Sequence, residues 1–258
     1  MLLEIEDIHF GYQKEKILKG ISFSVNHKEF IGIIGPNGSG KTTLLKLIGG
    51  IFKPQKGKIK IKDTDINNFS KKELAQIVSI VPQINYLPTP FSVWDIVMMG
   101  RSPYLKNLQF ESKKDFKIVE KSMELTKIIK LKNRTTEQLS GGELQRVFIA
   151  RSIAQEPELI LMDEPIAFLD LKHQLNIFSI LKKLNNEQGL TIITVMHDIN
   201  MAAQFCHRIL MIKNGKIFQE GKTEDILNSK NISHLYEVDA MVDKNPFTKK
   251  PRITLLIS

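Results

Sequence analysis

The order of hydrophobic and polar residues predicts strands of two kinds. Residues 2–10, 21–25 and 58–62 alternate apolar with polar side chains, as strands do when one face lies in water. Other runs are almost continuously apolar, which is typical of strands buried on both faces. These runs are residues 30–34, 77–81, 159–162 and 191–196. The pattern therefore predicts a buried sheet accompanied by a more exposed antiparallel one.

Between about residues 84 and 156 the pattern becomes mostly helical. Ser92 is a suitable N-cap for a helix over 93–99, and residues 112–131 place apolar side chains at a roughly helical period. A helical insertion into an α/β core is the interpretation that fits.

The last part of the chain returns to strands. Asn214-Gly215 between two apolar runs predicts a β-hairpin, and Thr223 is expected to cap a short helix. Residues 253–257 are expected to add a final strand.

Composition narrows the class of protein. The chain has 258 residues, 42% hydrophobic and 25% charged, and no apolar run approaches the roughly 18–20 residues that span a bilayer. The acidic residues near Met1 do not fit a secretory signal, so we expect a cytosolic protein. The single cysteine, Cys206, predicts a buried, inert thiol without disulfide or zinc.

The net charge of +9 raises the question of nucleic-acid binding. However, 31 of the 37 basic residues are lysines spread along the chain, with few of the arginines that read bases. A solvated, lysine-rich surface is the preferred interpretation, and no nucleic-acid partner is expected.

One glycine-rich stretch carries the clearest chemistry. It follows the buried run 30–34, precedes an apolar helix, and consists of Gly35, Pro36, Asn37, Gly38, Ser39, Gly40, Lys41, Thr42 and Thr43. Its glycines allow backbone N–H groups to turn around phosphate oxygens, at the positive end of the following helix. Lys41 would reach the outer phosphates and the Thr42 hydroxyl would bind Mg²⁺. The stretch therefore predicts a P-loop, and the alternative of a simple strand-to-helix turn fits less well.

Polar residues follow three of the buried runs, where parallel sheets place their ligand crevice. Asp163 and Glu164 end one run, where the first could hold Mg²⁺ and the second polarise a water. His197 ends another run and could contact a terminal phosphate. Gln83 could bind a metal or orient a water, although taken alone it could equally be a surface residue.

Two further features are ambiguous on local grounds. The segment Leu139-Ser140-Gly141-Gly142-Glu143 makes a second helix start suited to an anion, or an ordinary N-cap with a flexible loop. Tyr12 could stack on a purine base or be a half-buried aromatic at a strand end.

Together these residues resemble the nucleotide-binding subunit of ATP-binding cassette (ABC) transporters over nearly the whole chain. The resemblance matches Tyr12 to the adenine-stacking aromatic, 35–43 to Walker A, Gln83 to the Q-loop, 139–145 to the signature, 159–163 to Walker B, Glu164 to the catalytic base, Asp170 to the D-loop and His197 to the switch histidine. It implies a P-loop NTPase core of mixed, mainly parallel α/β sheet with flanking helices, an antiparallel β subdomain and a helical insertion.

The resemblance also implies the substrate, the metal and the residues that hold them. The nucleotide-binding residues would be Tyr12, Gly35, Asn37, Gly38, Ser39, Gly40, Lys41, Thr42, Thr43, Ser140, Gly141, Gly142, Glu143 and Asp170. ATP would be hydrolysed with Glu164, His197 and Gln83 as the catalytic residues, and Mg²⁺ would be held by Thr42, Gln83 and Asp163.

Family resemblance further implies the partners. Two copies would pack head to tail, each adding its Ser140-Gly141-Gly142 loop to the ATP held by the other's P-loop. Residues 94–105 are similar to the segment in importers of iron siderophores, haem and cobalamin, with molybdate relatives. We therefore expect a peripheral subunit at the cytoplasmic face of the membrane, bound to permease subunits and served indirectly by an extracytoplasmic substrate-binding protein. The cargo itself cannot be read from this chain.

Two rival classes remain: a cytosolic ABC ATPase acting on nucleic acid or ribosomes, and a nucleotide-binding regulator without turnover. Proteins of the first class typically carry two cassettes or a long coiled coil, and this sequence shows neither. The second class conflicts with the presence of Glu164, Gln83 and His197. An importer ATPase is the preferred interpretation.

The resemblance leaves three further expectations. The whole chain would be one ABC ATPase domain, with 1–83 and 157–258 forming a RecA-like core with the antiparallel β subdomain and 84–156 the helical signature subdomain. Residues 166–168, Ile-Ala-Phe, depart from the family's usual threonine and small residues, which affects local packing more than hydrolysis. The segment 84–104 is a candidate permease-docking surface through Tyr86, Leu87, Phe91 and Tyr104, or else packs within the helical subdomain.

Overall fold

The computed structural model describes residues 1–13, 15–83, 90–106, 110–166 and 169–256. The strands are β1 (Leu3–Tyr12), β2 (Glu15–Val25), β3 (Phe30–Ile34), β4 (Lys56–Ile61), β5 (Thr64–Asp65), β6 (Val78–Val81), β7 (Leu159–Asp163), β8 (Thr191–Val195), β9 (Arg208–Lys213), β10 (Lys216–Lys222), β11 (Ala240–Lys244) and β12 (Pro251–Leu255). The helices are α1 (Lys41–Ile48), α2 (Lys71–Ile77), α3 (Val93–Met98), α4 (Lys113–Leu125), α5 (Gly141–Ala154), α6 (Leu171–Gln188), α7 (Ile199–Phe205), α8 (Thr223–Ile226) and α9 (Ser229–Tyr236). None of these helices combines the length and hydrophobicity that crossing a membrane requires.

The chain divides into two compact units, which are described separately. The first unit contains residues 1–68 and 191–258, and the second contains residues 69–190. Because this division does not test the expected subdomain boundaries at 84 and 156, those boundaries stay a prediction.

The first unit contains an antiparallel sheet in the order β2-β1-β4-β5. Leu3 lies opposite Val25 of β2 and Ile61 of β4, and all three side chains are buried. The alternation seen in the sequence thus places one face of this sheet on a hydrophobic core, as predicted.

The same unit contains the buried strand β3, which pairs in parallel with β8 on one side and β9 on the other. All five residues of β3 are buried. Gly32 is required within it because a Cβ there would lie 2.8 Å from the Cys206 sulfur. Cys206 is buried, as predicted, and burial raises the pKa of its thiol to about 12. The thiol is therefore protonated at neutral pH and packs as an apolar group.

Turn chemistry explains the end of the first unit. Asn214 and Gly215 have φ of 53° and 77° and connect β9 to β10, which confirms the predicted hairpin. The capping role expected for Thr223 is wrong, because Thr223 lies inside α8 and its hydroxyl donates to the Cys206 carbonyl oxygen at 2.8 Å. The last strand is β12, so the prediction of a strand near residue 253 is confirmed; residues 257 and 258 lie outside the described part of the chain.

The second unit contains the parallel pair β6 and β7 and the helices α2 to α6. Ser92 caps α3 by accepting from the Asp95 N–H, as predicted. The helix expected over 112–131 ends at Leu125, because the Thr126 hydroxyl bonds the Ser122 carbonyl oxygen and Lys127 has φ of 57°. A residue with positive φ cannot continue a right-handed helix.

A buried arginine holds the helical part of this unit together. Arg101 is 2% exposed, and its guanidinium donates to Asp115 (2.9 Å), to the Ala154 carbonyl oxygen (2.7 Å) and to Glu156 (2.9 Å). The Tyr104 ring lies over it at 4.1 Å, and the Tyr104 hydroxyl donates to a backbone carbonyl oxygen. Tyr104 is therefore packed within the unit, and only Phe91 is exposed among the described members of the docking surface hypothesised above. Tyr86 and Leu87 of that hypothesis lie outside the described residues.

Removing the Asp115 carboxylate should destabilise the protein and remove one source of its acid sensitivity. Burial alone would raise the pKa of Asp115, but hydrogen bonds from Ser112 and Arg101 outweigh burial and hold the pKa at about 2. The folded-state pKa lies below the ordinary value near 3.9, so this stabilisation is present above pH 4 and is lost as the pH falls towards 2. Asp115→Ala should lower the free energy of unfolding by about 3 kcal/mol at pH 7, because it leaves Arg101 buried with less compensation.

Urea titrations at pH 7 and near pH 3 measure this effect. The difference between wild type and Asp115→Ala should narrow at the lower pH, while Glu120→Ala, an exposed position on the same helix, should resemble wild type at both. A constant difference across this range would show that the Asp115 charge does not contribute.

Candidate functional site

The P-loop of the first unit has the backbone conformation that its glycines predict. Gly35, Gly38 and Gly40 have φ of 151°, 75° and 102°, in the region that side chains disfavour. A Cβ at Gly35 would also lie 2.0 Å from the Ile212 carbonyl oxygen of β9. Glycine is thus required at position 35 both by conformation and by close packing.

Lys41 lies inside this loop. It is 6% exposed, and its ammonium group donates to the carbonyl oxygens of Gly35 and Pro36, each at 2.8 Å. The loop therefore curves around the lysine and fixes the position of its charge.

The loop also contains a buried hydroxyl, that of Ser39. The Ser39 side-chain oxygen is buried and has no hydrogen-bond partner within the described part of the chain. Unpaired buried polar atoms are rare and call for a partner. A phosphate oxygen is an acceptor that would suit this hydroxyl.

The helix α1 begins at Lys41 without a side-chain cap, because its N-cap is Gly40. Its first-turn N–H groups are therefore not used by a capping side chain, and the positive end of the helix adds to the Lys41 charge. Thr42 and Thr43 follow in the same turn. These features together are typical of an anion-binding site.

His197 lies at the same sheet edge as this loop. The parallel pairing of β3 and β8 sets Ile33 opposite Val195, and the Met196 N–H donates to the Ile33 carbonyl oxygen at 3.0 Å. His197 follows directly and is exposed. Strand pairing thus brings the histidine and the P-loop to neighbouring strand ends, as the sequence predicts.

Tyr12 belongs to a small aromatic group at the end of β1. Its ring meets Phe10 and Phe52 edge to face at 5.2 and 5.7 Å, and Phe10 stacks on Phe52. Tyr12 is 43% exposed, so part of its ring remains open to a planar ligand. Phe10 and Phe52 are supporting residues that the sequence analysis missed.

In the second unit, the residues after β6 and β7 meet directly. The Gln83 side-chain nitrogen donates to the Glu164 carboxylate at 3.1 Å. Val81 lies opposite Met162, so the two strands end together and bring Gln83, Asp163 and Glu164 to one edge. Glu164 has φ of 49°, which is unfavourable for any residue other than glycine. Such unfavourable backbone conformations are concentrated at functional sites.

The segment starting at Ser140 forms a complete capping box. The Glu143 N–H donates to the Ser140 hydroxyl, and the Ser140 N–H donates to the Glu143 carboxylate. The Ser140 N–H and hydroxyl lower the pKa of Glu143, so this carboxylate is ionised and engaged in the cap. The ordinary N-cap considered above is therefore present, and it leaves Gly141 and Gly142 in the first turn of α5.

Asp170 caps the next helix, α6. Its carboxylate accepts the His173 N–H at 2.9 Å and lies 2.8 Å from the His173 ring nitrogen. The neighbouring Ile166 is buried, while 167 and 168, the rest of the expected departure from the family pattern, lie outside the described residues. His173 was missed because nothing in its local sequence distinguishes it from other helical histidines.

Tyr236, at the end of α9, also approaches the P-loop unexpectedly. Burial raises the pKa of its hydroxyl to about 12, while the Gly35 backbone opposes the shift without a hydrogen bond of good geometry. About 200 residues separate the two positions, so no local sequence signal could have connected them.

The sequence pattern of the family described as ABC transporter matches residues 18–167, more than half of the chain. The chain belongs to the ABC transporter family. Members of this family bind and hydrolyse ATP, so this protein is an ABC ATPase with a P-loop NTPase fold.

The similarity to known proteins extends over almost the full length of the chain. The iron(3+)-hydroxamate import ATP-binding protein FhuC of Bacillus subtilis is 35% identical over 249 residues, covering 96% of this chain and 93% of FhuC. A chain from an inward-facing transporter described as metal-chelate type has a TM-score of 0.88 and 30% identity, covering 99% of this chain and 98% of that one.

A second similar structure shows the state after hydrolysis. It is a dimeric ATP-binding cassette bound to ADP and phosphate, with a TM-score of 0.74 and 31% identity, covering 86% of this chain and 98% of that chain. The similarity to these cassettes confirms the fold predicted for the ABC ATPase.

Proposed function

We propose that this ABC ATPase powers an importer of iron chelates of the siderophore class. The observation that carries the proposal is the 35% identity to FhuC, which extends over nearly the full length of both proteins rather than over the P-loop region alone. The similarity to a metal-chelate type transporter supports the same class of cargo.

Nucleotide binding is assigned to the first unit. Lys41 and the uncapped start of α1 bind the phosphates, and the buried Ser39 hydroxyl gains in a phosphate oxygen the partner that it lacks. Tyr12 presents the open part of its ring to adenine. Asn37, Gly38 and Thr43 complete the loop around the phosphates.

Mg²⁺ fits the oxygen donors that the sequence predicts for it. As the resemblance implies, Thr42 would offer a hydroxyl, Asp163 a carboxylate and Gln83 its amide oxygen, since the amide nitrogen of Gln83 already donates to Glu164. When bound, Mg²⁺ would neutralise charge on the phosphates.

Hydrolysis is assigned to the residues at the ends of β6, β7 and β8. Glu164 accepts a proton from the attacking water, and Gln83 holds the Glu164 carboxylate through their hydrogen bond. His197 donates a hydrogen bond to the terminal phosphate. The backbone of Glu164 has the unfavourable conformation that is concentrated at functional sites, which supports this role.

The working form is proposed to be a head-to-tail dimer bound to permease subunits at the cytoplasmic face of the membrane. Ser140, Gly141, Gly142 and Asp170 of one copy would face the nucleotide of the other, and Glu143 would support them through the capping box. The dimeric, ADP-bound cassette with 31% identity supports this assembly. An extracytoplasmic binding protein would deliver the chelate to the permease.

Transport by the assembled system tests this function. The protein should co-purify with its permease subunits, and in proteoliposomes the complex should take up ferric hydroxamate in an ATP-dependent manner. ATP hydrolysis that responds to DNA or RNA, with no uptake of any iron chelate, haem or cobalamin, would contradict the proposal.

Ser140→Arg should separate nucleotide binding from dimer formation. The larger cation would obstruct a helix start that must approach the partner's phosphates, so hydrolysis should fall at least about 10-fold while the affinity of the monomer for ATP stays within twofold. Phosphate release and calorimetry measure the two quantities. An equal loss of both would contradict the head-to-tail arrangement.

A further inference from the structure

The side chain of His173 lies between the Asp170 loop and the start of α5. One edge of its ring, at Nδ1, is 2.8 Å from the Asp170 carboxylate. The other edge faces Gly142, since a Cβ there would lie 2.6 Å from His173 Cδ2 and 2.7 Å from Cγ. The imidazole thus fills the space between the Asp170 loop and the first turn of α5.

This contact explains why position 142 is glycine. Gly142 is not among the glycines with positive φ, so its backbone conformation would accept alanine. Glycine normally weakens a helix, and its presence in α5 therefore needs another reason. The close approach of the His173 ring supplies it.

Gly141, the neighbouring glycine of α5, also contacts the segment around Asp170. A Cβ at Gly141 would meet the Leu169 side chain at 3.6 Å, and Gln174 donates to the Leu169 carbonyl oxygen at 2.9 Å. Residues 169–173 therefore contact both glycines: Leu169 lies beside Gly141 and His173 lies beside Gly142.

The bond to Asp170 is maintained at neutral pH. The His173 backbone N–H, followed by its side chain, lowers the pKa of the Asp170 carboxyl, so the group stays ionised. A charged acceptor strengthens both hydrogen bonds, and Asp170 remains fixed as the N-cap of α6.

We propose that His173 is a positioning residue that joins the Asp170 loop to the Ser140-Gly141-Gly142 start of α5, so that both loops reach a partner subunit as one rigid body. The proposal rests on the function assigned above, in which these two loops face the nucleotide of the second copy. His173 itself does not need to touch ATP.

The contact between the His173 ring and Gly142 can be tested without measuring ATP hydrolysis. Gly142→Ala should lower the melting temperature because its methyl group collides with the His173 ring, whereas in a His173→Ala background the same substitution should cost clearly less. If the effects of the two substitutions on the melting temperature simply add, the ring does not occupy the space above Gly142.

The positioning role of His173 is tested by measuring ATP hydrolysis and dimer formation. His173→Ala should lower kcat for ATP hydrolysis at least about fivefold, leave the ATP affinity of the monomer within twofold, and reduce ATP-dependent dimer formation measured by gel filtration in the Glu164→Gln background. His173→Asn retains a donor near the position of Nδ1 but lacks the rest of the ring, so it fills less of the space beside Gly142 and its kcat should lie between those of His173→Ala and wild type.

Lys172→Ala is the matched control, since Lys172 is exposed on the same helical turn and should give wild-type kcat. A wild-type kcat in His173→Ala would overturn the proposal, and so would a loss of kcat matched by an equal loss of monomer ATP affinity. If His173→Ala does not fold, His173→Asn decides the same question.

Parallel measurement of Glu164→Gln separates this inference from the proposed function. If Glu164→Gln loses turnover while His173→Ala does not, the inference is wrong and the proposed function stands. If Glu164→Gln hydrolyses ATP at the wild-type rate, the proposed catalytic site is wrong, and the melting-temperature comparison still tests the contact.

Discussion

Glu164→Gln is expected to lower kcat for ATP hydrolysis at least about 100-fold while ATP still binds, because an amide cannot accept the proton of the attacking water. The shape of the side chain is kept, and its carbonyl oxygen can still accept the hydrogen bond that Gln83 now donates at 3.1 Å. The P-loop is unchanged, so affinity should be retained. Because the bound ATP is not hydrolysed, the ATP-bound dimer should also accumulate.

Phosphate release, calorimetry and gel filtration measure these three consequences. Glu120→Gln, which makes the same chemical change on an exposed face of α4, should behave as wild type. Turnover at the wild-type rate in Glu164→Gln would exclude this residue as the base and leave the family membership intact.

Lys41→Ala is expected to weaken ATP binding itself by about 10- to 100-fold, the range for losing a charge-assisted hydrogen bond to phosphate. The lysine is 6% exposed and also holds the Gly35 and Pro36 carbonyl oxygens, so its loss removes both a charge and an anchor of the loop. Hydrolysis should fall with the affinity, in contrast to Glu164→Gln.

Calorimetry with ATP measures the affinity, and the melting temperature distinguishes weaker binding from unfolding. Lys53→Ala removes an exposed lysine and should change neither. Unchanged affinity in a folded Lys41→Ala protein would contradict the assignment of residues 35–43 as the phosphate-binding loop.

Local patterns were sufficient for most elements of the fold. The continuous apolar runs became β3, β6, β7 and β8, and the Asn214-Gly215 pair formed the predicted hairpin. These predictions succeed because alternation, apolar runs and turn residues act within a few positions of one another. One error came from a distant group, because the Thr223 hydroxyl that was expected to cap a helix donates to the Cys206 carbonyl oxygen instead. The other was local, because the positive φ of Lys127 ends the helix expected over 112–131.

The sequence by itself determined the kind of chemistry, because the P-loop, the acids at the end of β7 and the glycines at the start of α5 each depend on residue types at short, fixed spacing. Only the tertiary structure decided which partners hold those residues in place. The hydrogen bond from Gln83 to Glu164 spans 81 positions, and the ring of His173 explains Gly142 from 31 positions away. Such contacts arise when separate strands and helices pack together, and packing partners far apart in the chain leave no periodic signal in it.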